Sequence, residues 1–559
     1  MVWQLWDRHR SGIMTGTYPV RQHLRGKVMP HSGPGRQSLT IALSSLAAAG
    51  GLLLAPGVAG AQAFAESGKA LVDYTRADLT PRRACADLGA FKGKDIVAVQ
   101  ATEVAASAAA PAYCRVTGTI APEVAFEVAL PAKWNGRFYM IGNGGHAGES
   151  LEEPGRTGQR DSALKLGFAF AQTNTGHDSR KEAGGTFVLS NPQKAIDYAY
   201  RAVHVTAATA KDIVRQHYDR PASRAYWNSW SNGGRQGLLE AQRYPKDFDG
   251  VLANAPWVDQ TGFMMGAIWN QKALAGLGSA GLTQQKLALL GERVMARCDA
   301  VDGVKDGLID DPRRCDFDAR RDVPSCAAGT DTASCLTPAQ ADAVMKIYAG
   351  PVSKGKPLFP GFAFGSESAW TGMIVPSQPD AKPAVFSLGE NTLRYMVLKP
   401  AQPEYDTLSF DFDKDVALVK DWSRKADATS TDLDDFRRRG GKLLMTYGWA
   451  DQILQPMMGV NYYEALTKRY GRRTQDFARL FMVPGMTHCQ GGTGTDQFDA
   501  MTALINWVEK GTAPDVLAAA RRVNGQVVRT RPLCPYPRVA KYKGTGSIDD
   551  AANFSCAAP

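Results

Sequence analysis

The chain has 559 residues, more than one ordinary domain of about 150 residues needs, which favours one large domain with a second one inserted. Hydrophobic residues make up 44% and charged residues 21% of it, and these average values exclude wholesale disorder, a collagen-like chain and a coiled coil. The formal net charge is +10, but residues 1–63 hold six of the basic residues and one acidic residue, Asp7. Since half of the excess lies in that segment, the rest of the chain gives no support for a nucleic-acid-binding surface.

The first segment of the chain has the pattern of an export signal. Arg36 precedes an apolar run over residues 39–55, and small-residue cleavage sites follow at residues 59–61 and 61–63. A membrane anchor is the alternative, but the run is rich in Ala and Gly and shorter than the roughly 20 apolar residues of a bilayer span. We predict a leader over residues 1–63 with cleavage near Ala63, and a mature chain that is secreted or periplasmic and not held in a membrane.

Short apolar runs alternate with helix-like stretches over much of the remaining chain. Strands are predicted at residues 124–130, 137–141, 168–171, 225–228, 250–254, 441–447 and 478–483. Helices are predicted at residues 191–218, 236–243, 460–470 and 500–509. Such alternation indicates a parallel α/β sheet.

The alternation lapses between residues 257 and 403, where acidic turns and most of the clustered cysteines occur. This lapse indicates an inserted lid domain. We therefore divide the chain into a leader over residues 1–63, a first part of the α/β domain over residues 64–256, a lid over residues 257–403 and a second part of the α/β domain over residues 404–559.

Ser231 lies between a predicted strand and a predicted helix, which is the place of a nucleophile elbow. The elbow needs small residues two positions before and after the serine because the backbone turns sharply there. Ser229 and Gly233 fill those positions. A serine in a Gly-rich loop is more often a turn or a helix cap, so the later residues of the chain must decide its role.

Two partners for Ser231 follow at the ends of later predicted strands. Asp451 comes after the strand over residues 441–447, and His488 comes after the strand over residues 478–483. The chain order Ser, Asp, His is that of α/β-hydrolases, in which the carboxylate fixes the imidazole tautomer and the imidazole accepts the serine proton. A helix-capping Asp451 and an ordinary loop His488 are the alternatives, but one active site explains all three residues together.

Backbone N–H groups that stabilise a developing oxyanion are expected at two places. One is Asn232, directly after the nucleophile, and the other is the glycine-rich loop over residues 142–148. Glycine lets the backbone approach a substrate closely, so Gly144 or Gly145 is the predicted second donor. A plain glycine-rich turn is the alternative, and a dinucleotide-binding loop is disfavoured because Gly-x-Gly-x-x-Gly spacing is absent.

All nine cysteines follow the predicted cleavage site, and an exported chain oxidises most of its cysteines. Sequence proximity suggests four pairs without fixing the connectivity. These pairs are Cys85 with Cys114, Cys298 with Cys315, Cys326 with Cys335, and Cys534 with Cys556. Cys489 is then left over. Zinc binding is the competing use, but the chain has no Cys-x-x-Cys pair and its histidines do not cluster near the cysteines.

Carboxylates and glycines crowd the loop between Cys298 and Cys315. The acidic residues of this loop are Asp299, Asp302, Asp306, Asp310 and Asp311. Such a loop resembles an oxygen cage for a hard cation, most plausibly calcium, although its spacing is not that of an EF-hand. A solvated acidic turn is the alternative. We expect a structural role, because nothing in the sequence places the loop near Ser231.

Taken together, these residues resemble the tannase and feruloyl esterase family, exported α/β-hydrolases with a cysteine-bearing lid that cleave esters of aromatic acids. The resemblance covers roughly residues 85–556. Its most specific segments are residues 231–237, 299–312, 448–451 and 484–489. It implies an α/β-hydrolase fold with an inserted, disulfide-containing lid, and the four cysteine pairs match the family pattern.

The resemblance also implies a calcium site in the acidic loop. The implied ligands are the side chains of Asp299, Asp302 and Asp306 and the backbone of Val304 and Leu308. One other position departs from the family, in which a cysteine before the nucleophile bonds to the cysteine after the catalytic histidine. Here Cys489 is kept but Trp230 stands in place of its partner, so packing has to hold the two loops together.

The activity implied is two-step acyl transfer without a redox cofactor, on a small-molecule aromatic ester. The acid would lie beneath the lid, where Trp370 and Arg394 are candidate contacts. Gallate, hydroxycinnamates and terephthalate half-esters all remain open. The alternatives are a serine hydrolase for other acyl groups and a catalytically impaired, calcium-stabilised protein that binds phenolics, and a panel of ester substrates distinguishes them.

Overall fold

A nine-stranded mixed sheet forms the centre of the fold. The computed structural model describes residues 63–278, 281–378 and 380–559, so the predicted leader lies outside the described residues except for Ala63. The strands lie in the order β1-β2-β3-β5-β4-β6-β7-β10-β11. They are β1 (Ile96–Val104), β2 (Tyr113–Ile120), β3 (Val124–Pro131), β4 (Arg137–Ile141), β5 (Ala169–Thr173), β6 (Arg224–Trp230), β7 (Gly250–Asn254), β10 (Lys442–Gly448) and β11 (Ala478–Val483).

Six neighbouring strands, from β5 to β11 in the sheet order, are parallel, as the alternation predicts. The other three differ from that prediction, because β1, β2 and β3 form an antiparallel meander that joins β5 antiparallel. Three small hairpins complete the strands: β8 (Val352–Ser353) with β9 (Lys356–Pro357), β12 (Leu517–Val523) with β13 (Gln526–Leu533), and β14 (Val539–Tyr542) with β15 (Phe554–Ala557).

Fourteen α-helices accompany the strands of the described chain. They are α1 (Pro154–Lys165), α2 (Phe187–Ser190), α3 (Pro192–Ile196), α4 (Ala202–Tyr218), α5 (Asn232–Arg243), α6 (Gln260–Ala275), α7 (Gln284–Cys298), α8 (Ala319–Asp322), α9 (Pro338–Ala349), α10 (Ala384–Asn391), α11 (Lys420–Ala426), α12 (Asp434–Arg438), α13 (Pro456–Tyr470) and α14 (Ala500–Lys510). A π-helical turn, Asp197–Arg201, joins α3 to α4. No helix in these described ranges is both long and apolar enough to cross a membrane.

Helices cover both faces of the sheet because successive strand residues point to opposite sides. In β4, Phe138 and Met140 belong to a hydrophobic cluster that includes apolar residues of α4, α5 and α13. The intervening Tyr139 and Ile141 belong to a second cluster with α1 and α14. The carboxyl ends of the parallel strands therefore open at one edge, where catalytic loops of α/β proteins are found.

The chain leaves the sheet after β7 and returns at β10. Between them lie α6 to α12 and the β8–β9 hairpin, and none of the described residues in this insertion joins the large sheet. It contains two disulfides, Cys298–Cys315 and Cys326–Cys335. The boundaries at residues 256 and 403 stay predictions, and Phe410 and Trp422 pack in one hydrophobic cluster with Met264 of α6.

Candidate active site

Ser231 forms a sharp turn between β6 and α5. Its φ of 57° and ψ of −124° are rare for a residue with a side chain, and such strain persists only where the surroundings hold it. Three backbone hydrogen bonds do so: Ser231 N donates to Asn254 O at 3.0 Å, and Ser231 O accepts from Trp257 N at 3.0 Å and Arg235 N at 3.1 Å. This is the local geometry of a nucleophile elbow.

Glycine is required at position 233 by the side chain of Ser229. A Cβ atom on Gly233 would lie 1.9 Å from Ser229 Oγ and 2.6 Å from Ser229 Cβ. The chain therefore has a serine where the elbow pattern has its first glycine, and Gly233 supplies the space for it.

Asp451 and His488 form the hydrogen-bonded pair that the sequence predicts. His488 Nδ1 lies 2.7 Å from Asp451 Oδ2. The carboxylate is fully buried, and its other oxygen accepts from Ile453 N at 2.9 Å and Leu454 N at 2.8 Å. Burial opposes protonation of the ring, but the Asp451 carboxylate and the Cys489 side chain outweigh it and raise the pKa of His488 well above its usual value.

The order of the strands brings the two loops to the same edge as Ser231. Asp451 follows β10 and His488 follows β11, and β7 alone separates β10 from β6. The loops are tied together because Trp449 N donates to Val483 O at 2.9 Å and Ala450 N donates to Met486 O at 3.1 Å. A bond from the Ser231 hydroxyl to the imidazole is not among the hydrogen bonds of the described residues.

The glycine-rich loop is held from below by two buried side chains. Gly144 N donates to Glu149 Oε1 at 3.0 Å, and Asn143 N donates to Gln236 Oε1 at 3.0 Å. Gly144 is therefore not free to bind an oxyanion, which corrects one of the two predicted positions. Gly145 N makes no hydrogen bond within the described residues, and Asn232 N lies in the first turn of α5, where N–H groups have no partner inside the helix.

A side chain that sequence reasoning missed connects the two remaining donors. The Tyr198 hydroxyl lies 3.1 Å from Gly145 O and 3.4 Å from Asn232 Oδ1. Gln260 Nε2 donates to the same hydroxyl at 2.8 Å, and Arg235 Nε donates to Asn232 Oδ1 at 2.7 Å. This network fixes both backbone donors, but no local signal marks its members.

The two candidate substrate contacts have other roles in this structure. Trp370 is fully buried, and its Nε1 donates to Ser366 Oγ at 2.8 Å, so it is a core residue of the insertion. Arg394 donates to Tyr405 O at 2.9 Å and pairs with Glu390 at 3.0 Å. Its guanidinium therefore holds the insertion together, and neither prediction places a side chain against Ser231.

All nine cysteines lie within the described residues. Four disulfides join the pairs that sequence proximity suggests, including Cys85–Cys114 and Cys534–Cys556. Cys489 is the free cysteine, and its side chain interacts with the His488 ring. Four disulfides are typical of a protein that folds outside the reducing cytoplasm.

The acidic loop after α7 is folded around its own backbone. Asp299 Oδ1 accepts from Asp306 N and from Gly307 N, each at 3.0 Å, and Asp306 Oδ2 pairs with Arg531. Burial, followed by the charges of Asp306 and Asp299, raises the pKa of Asp302. The donor set is entirely oxygen, which suits calcium. Three of its carboxylates do not come within 4.8 Å of one another, as the ligand atoms of a cluster on α4 and α5 do.

This loop lies closer to the active-site loops than the sequence suggests. Leu308 packs at Gly485 of the His488 loop, and the Arg313 guanidinium lies 5.5 Å from the ring centroid of Trp449 in the Asp451 loop. The acidic loop therefore supports the segments that carry Asp451 and His488.

The strand order, the elbow and the Asp451–His488 pair define an α/β-hydrolase. The family described as tannase and feruloyl esterase matches residues 107–557, which is most of the chain. The chain therefore belongs to the tannase and feruloyl esterase family, and it is a carboxylic-ester hydrolase.

Two relatives and one solved structure show the extent of the similarity. A mono(2-hydroxyethyl) terephthalate hydrolase of Piscinibacter sakaiensis is 35% identical over 529 residues, which cover 82% of this chain and 87% of that protein. A probable feruloyl esterase of Arthroderma benhamiae is 31% identical over 442 residues, which cover 77% of this chain and 81% of that protein. The crystal structure of feruloyl esterase B from Aspergillus oryzae is 27% identical, with a TM-score of 0.73 over 85% of this chain and 99% of that one.

Proposed function

We propose that this protein hydrolyses esters of aromatic carboxylic acids through an acyl-enzyme on Ser231. The observation that carries the proposal is the His488–Asp451 bond of 2.7 Å at the sheet edge where Ser231 holds a strained elbow. Both named relatives support the substrate class, because terephthalate and ferulate are aromatic acids.

The reaction divides into two acyl transfers. Ser231 Oγ attacks the ester carbonyl while His488 Nε2 accepts the hydroxyl proton, which it then gives to the leaving alcohol. A water molecule next attacks the acyl-enzyme, His488 accepts its proton, and the aromatic acid is released as Ser231 recovers its proton. Asp451 keeps His488 Nδ1 protonated throughout and stabilises the imidazolium.

Two backbone groups stabilise the tetrahedral intermediates. Asn232 N lies directly after the nucleophile, and Gly145 N is the donor of the glycine-rich loop that Glu149 leaves free. Removing one such donor from a serine hydrolase costs roughly 10²–10³ in kcat. The side chains that hold this loop are therefore part of the catalytic arrangement.

A panel of esters tests the proposal. Methyl ferulate, methyl gallate, mono(2-hydroxyethyl) terephthalate and a short aliphatic methyl ester are supplied to the oxidised protein, to Ser231→Ala and to a surface control, Ser162→Ala. We expect a higher kcat/KM on at least one aromatic ester than on the aliphatic one, loss of that turnover in Ser231→Ala, and full turnover in the control. Preference for the aliphatic ester would contradict the substrate class, and turnover by Ser231→Ala would contradict the mechanism.

The acidic loop is proposed to bind calcium. Asp299, Asp302 and Asp306 would hold the ion with the backbone of Val304 and Leu308, and the ion would neutralise carboxylates whose charges oppose one another. Its role is structural, through Leu308 and the His488 loop. Since Asp306 also pairs with Arg531, calcium and Arg531 compete for this carboxylate.

Removal of divalent ions tests this second proposal. Chelation should lower the melting temperature and kcat together, and added Ca²⁺ should restore both, because the loop supports the segments of Asp451 and His488. Asp302→Asn should lose the response to Ca²⁺, while Asp316→Asn, an exposed acid of the same segment, should keep it. A melting temperature that chelation leaves unchanged would contradict the calcium site.

Export is proposed to proceed through the leader over residues 1–63, with cleavage near Ala63. The four disulfides support an oxidising destination. N-terminal sequencing of the exported protein tests the cleavage position.

A further inference from the structure

A group of metal-ligating side chains lies in the described chain apart from Ser231, Asp451 and His488. His204 of α4, Glu240 of α5 and Asp247 of the loop before β7 each place a ligand atom within 4.8 Å of the other two. One imidazole and two carboxylates on three separate elements form this group, which we name the back cluster. The ester hydrolysis derived above uses none of these residues.

Glu240 is the unusual member of the back cluster. Its side chain is 2% exposed, and its Oε2 atom has no hydrogen-bond partner. A buried carboxylate without partners is costly, and burial followed by the neighbouring Asp247 carboxylate raises the pKa of Glu240 well above its usual value. Either a proton or a cation has to lie between two carboxylates that face each other in this way.

The other members supply a route for a cation. His204 Nδ1 lies 2.6 Å from Asp247 Oδ2, and its side chain is 35% exposed. The imidazole stacks on the Tyr244 ring at a centroid distance of 3.8 Å, which fixes its plane. The back cluster is therefore dry at Glu240 and open to solvent at His204.

One positive charge already lies nearby. Lys211 Nζ is 3.6 Å from Asp247 Oδ1 and donates to the Asp247 backbone oxygen. Burial lowers the pKa of Lys211, so its ammonium is a weak competitor for the site. A divalent ion would neutralise both carboxylates, which a single lysine does not.

We propose that the back cluster is a binding site for a divalent transition-metal ion, with Zn²⁺ as the best match. One ring nitrogen of His204 and one oxygen each of Glu240 and Asp247 would be its ligands. Mixed imidazole and carboxylate ligands suit zinc, whereas calcium takes oxygen ligands alone. The ion would join α4, α5 and the start of β7 across one face of the sheet, and binding would release the proton that Glu240 holds without the metal.

Zn²⁺ titration by calorimetry tests the site. The full mature protein, without a polyhistidine tag and in saturating Ca²⁺ so that the acidic loop is occupied, is compared with His204→Phe and Glu240→Gln. The first variant keeps a ring on Tyr244, and the second keeps the size of Glu240. We expect one Zn²⁺ per chain in the wild type and at least tenfold weaker binding in each variant. Asp212→Asn, an exposed acid on α4, should bind as the wild type does.

Two further readouts separate loss of the site from loss of the fold. Titration in two buffers of different ionisation enthalpy should show proton release in the wild type and less of it in Glu240→Gln. Without zinc, both variants should keep the far-UV circular dichroism of the wild type, and zinc should raise the melting temperature of the wild type alone. Equal Zn²⁺ affinity in the wild type and both variants would overturn the proposal, and so would the absence of Zn²⁺ binding by the wild type, which would leave a proton between the carboxylates.

Discussion

The two oxygens of Asp451 have separate tasks. One accepts two backbone N–H groups and fixes the loop, and the other faces His488 Nδ1. Asp451→Asn keeps the size of the side chain but removes the charge that stabilises the imidazolium.

Because that charge raises the pKa of His488, its removal should lower the pKa. The imidazole would then lose its proton at lower pH, so the acidic limb of the profile of kcat/KM against pH should move to lower pH in Asp451→Asn. The rate should also fall by roughly 10³–10⁴, because the carboxamide no longer selects the productive tautomer. An acidic limb at the same pH in both proteins would contradict the role given to this carboxylate.

Tyr198 offers a second prediction, since its hydroxyl links Gly145 and Asn232. Tyr198→Phe removes a hydrogen bond worth about 1 kcal/mol, so kcat should fall roughly fivefold while KM changes little. Tyr200→Phe, two residues along the same turn, is the matched control and should keep the wild-type kcat. Equal kcat for Tyr198→Phe and the wild type would show that the hydroxyl does not position the oxyanion donors.

The candidate residues differ in how far sequence alone could find them. Ser231, Asp451 and His488 follow predicted strands, and this local signal places them at one edge of a sheet. Tyr198 and Glu149 reach the same site as side chains from other elements, and no spacing in the sequence marks them. Trp370 was a wrong choice as a substrate contact because an aromatic residue in an insertion fills its core as readily as it lines a cleft.

At the scale of elements, the start of α6 connects the sheet to the insertion. Asp259 caps this helix by accepting from Gly262 N at 2.7 Å. Asp427 accepts from Gln260 N at 2.9 Å and from Thr261 Oγ1 at 2.7 Å. Burial, followed by the charge of Asp427, raises the pKa of Asp259, so the folded protein binds a proton here more tightly than the unfolded chain does.

A raised pKa of this kind stabilises the protein at low pH, and the stabilisation is lost as pH rises through the folded-state pKa. Asp259→Asn keeps a good cap without the charge. Its melting temperature should therefore gain on that of the wild type between pH 5 and pH 8, and thermal unfolding at several pH values measures this. A difference in melting temperature that is constant with pH would contradict the raised pKa.

Helices and strands with strong periodicity were predictable, whereas the weaker strands were not. Residues 250–254 and 478–483 are buried runs, and the structure has β7 and β11 there. The β12 strand is rich in Ala and Arg, which favour helices, and pairing with β13 overrides that preference. The Asn524-Gly525 turn, with positive φ at both residues, is a hairpin signal that could have revealed this pair.

At the scale of the whole molecule, long-range contacts join the insertion to the catalytic edge. Phe187 and Tyr198 share a hydrophobic cluster with Met264, Leu393 and residues after the predicted lid boundary. His146 of the glycine-rich loop also lies 3.0 Å from Thr392 Oγ1. These contacts depend on tertiary packing over large sequence separations, so the sequence predicts that an insertion exists but not where it packs.

The pattern of disulfides allows a prediction for the complete protein. Eight of the nine cysteines are paired, so the oxidised chain, denatured without reductant, should react with a thiol reagent once per molecule. Peptide mapping should place that thiol at Cys489. Three or more reactive thiols, or a label on another cysteine, would contradict the connectivity.

Covalent labelling tests the central claim most directly, which is that Ser231 is the nucleophile of an ester hydrolase. An aryl phosphonate that mimics the acyl donor is incubated with the protein, and the adduct is located by mass spectrometry while hydrolysis of an aromatic ester is followed. We expect one adduct per chain on Ser231, loss of hydrolysis in step with labelling, and no adduct in Ser231→Ala. An adduct on another residue, or hydrolysis that persists after Ser231 is fully labelled, would contradict the account.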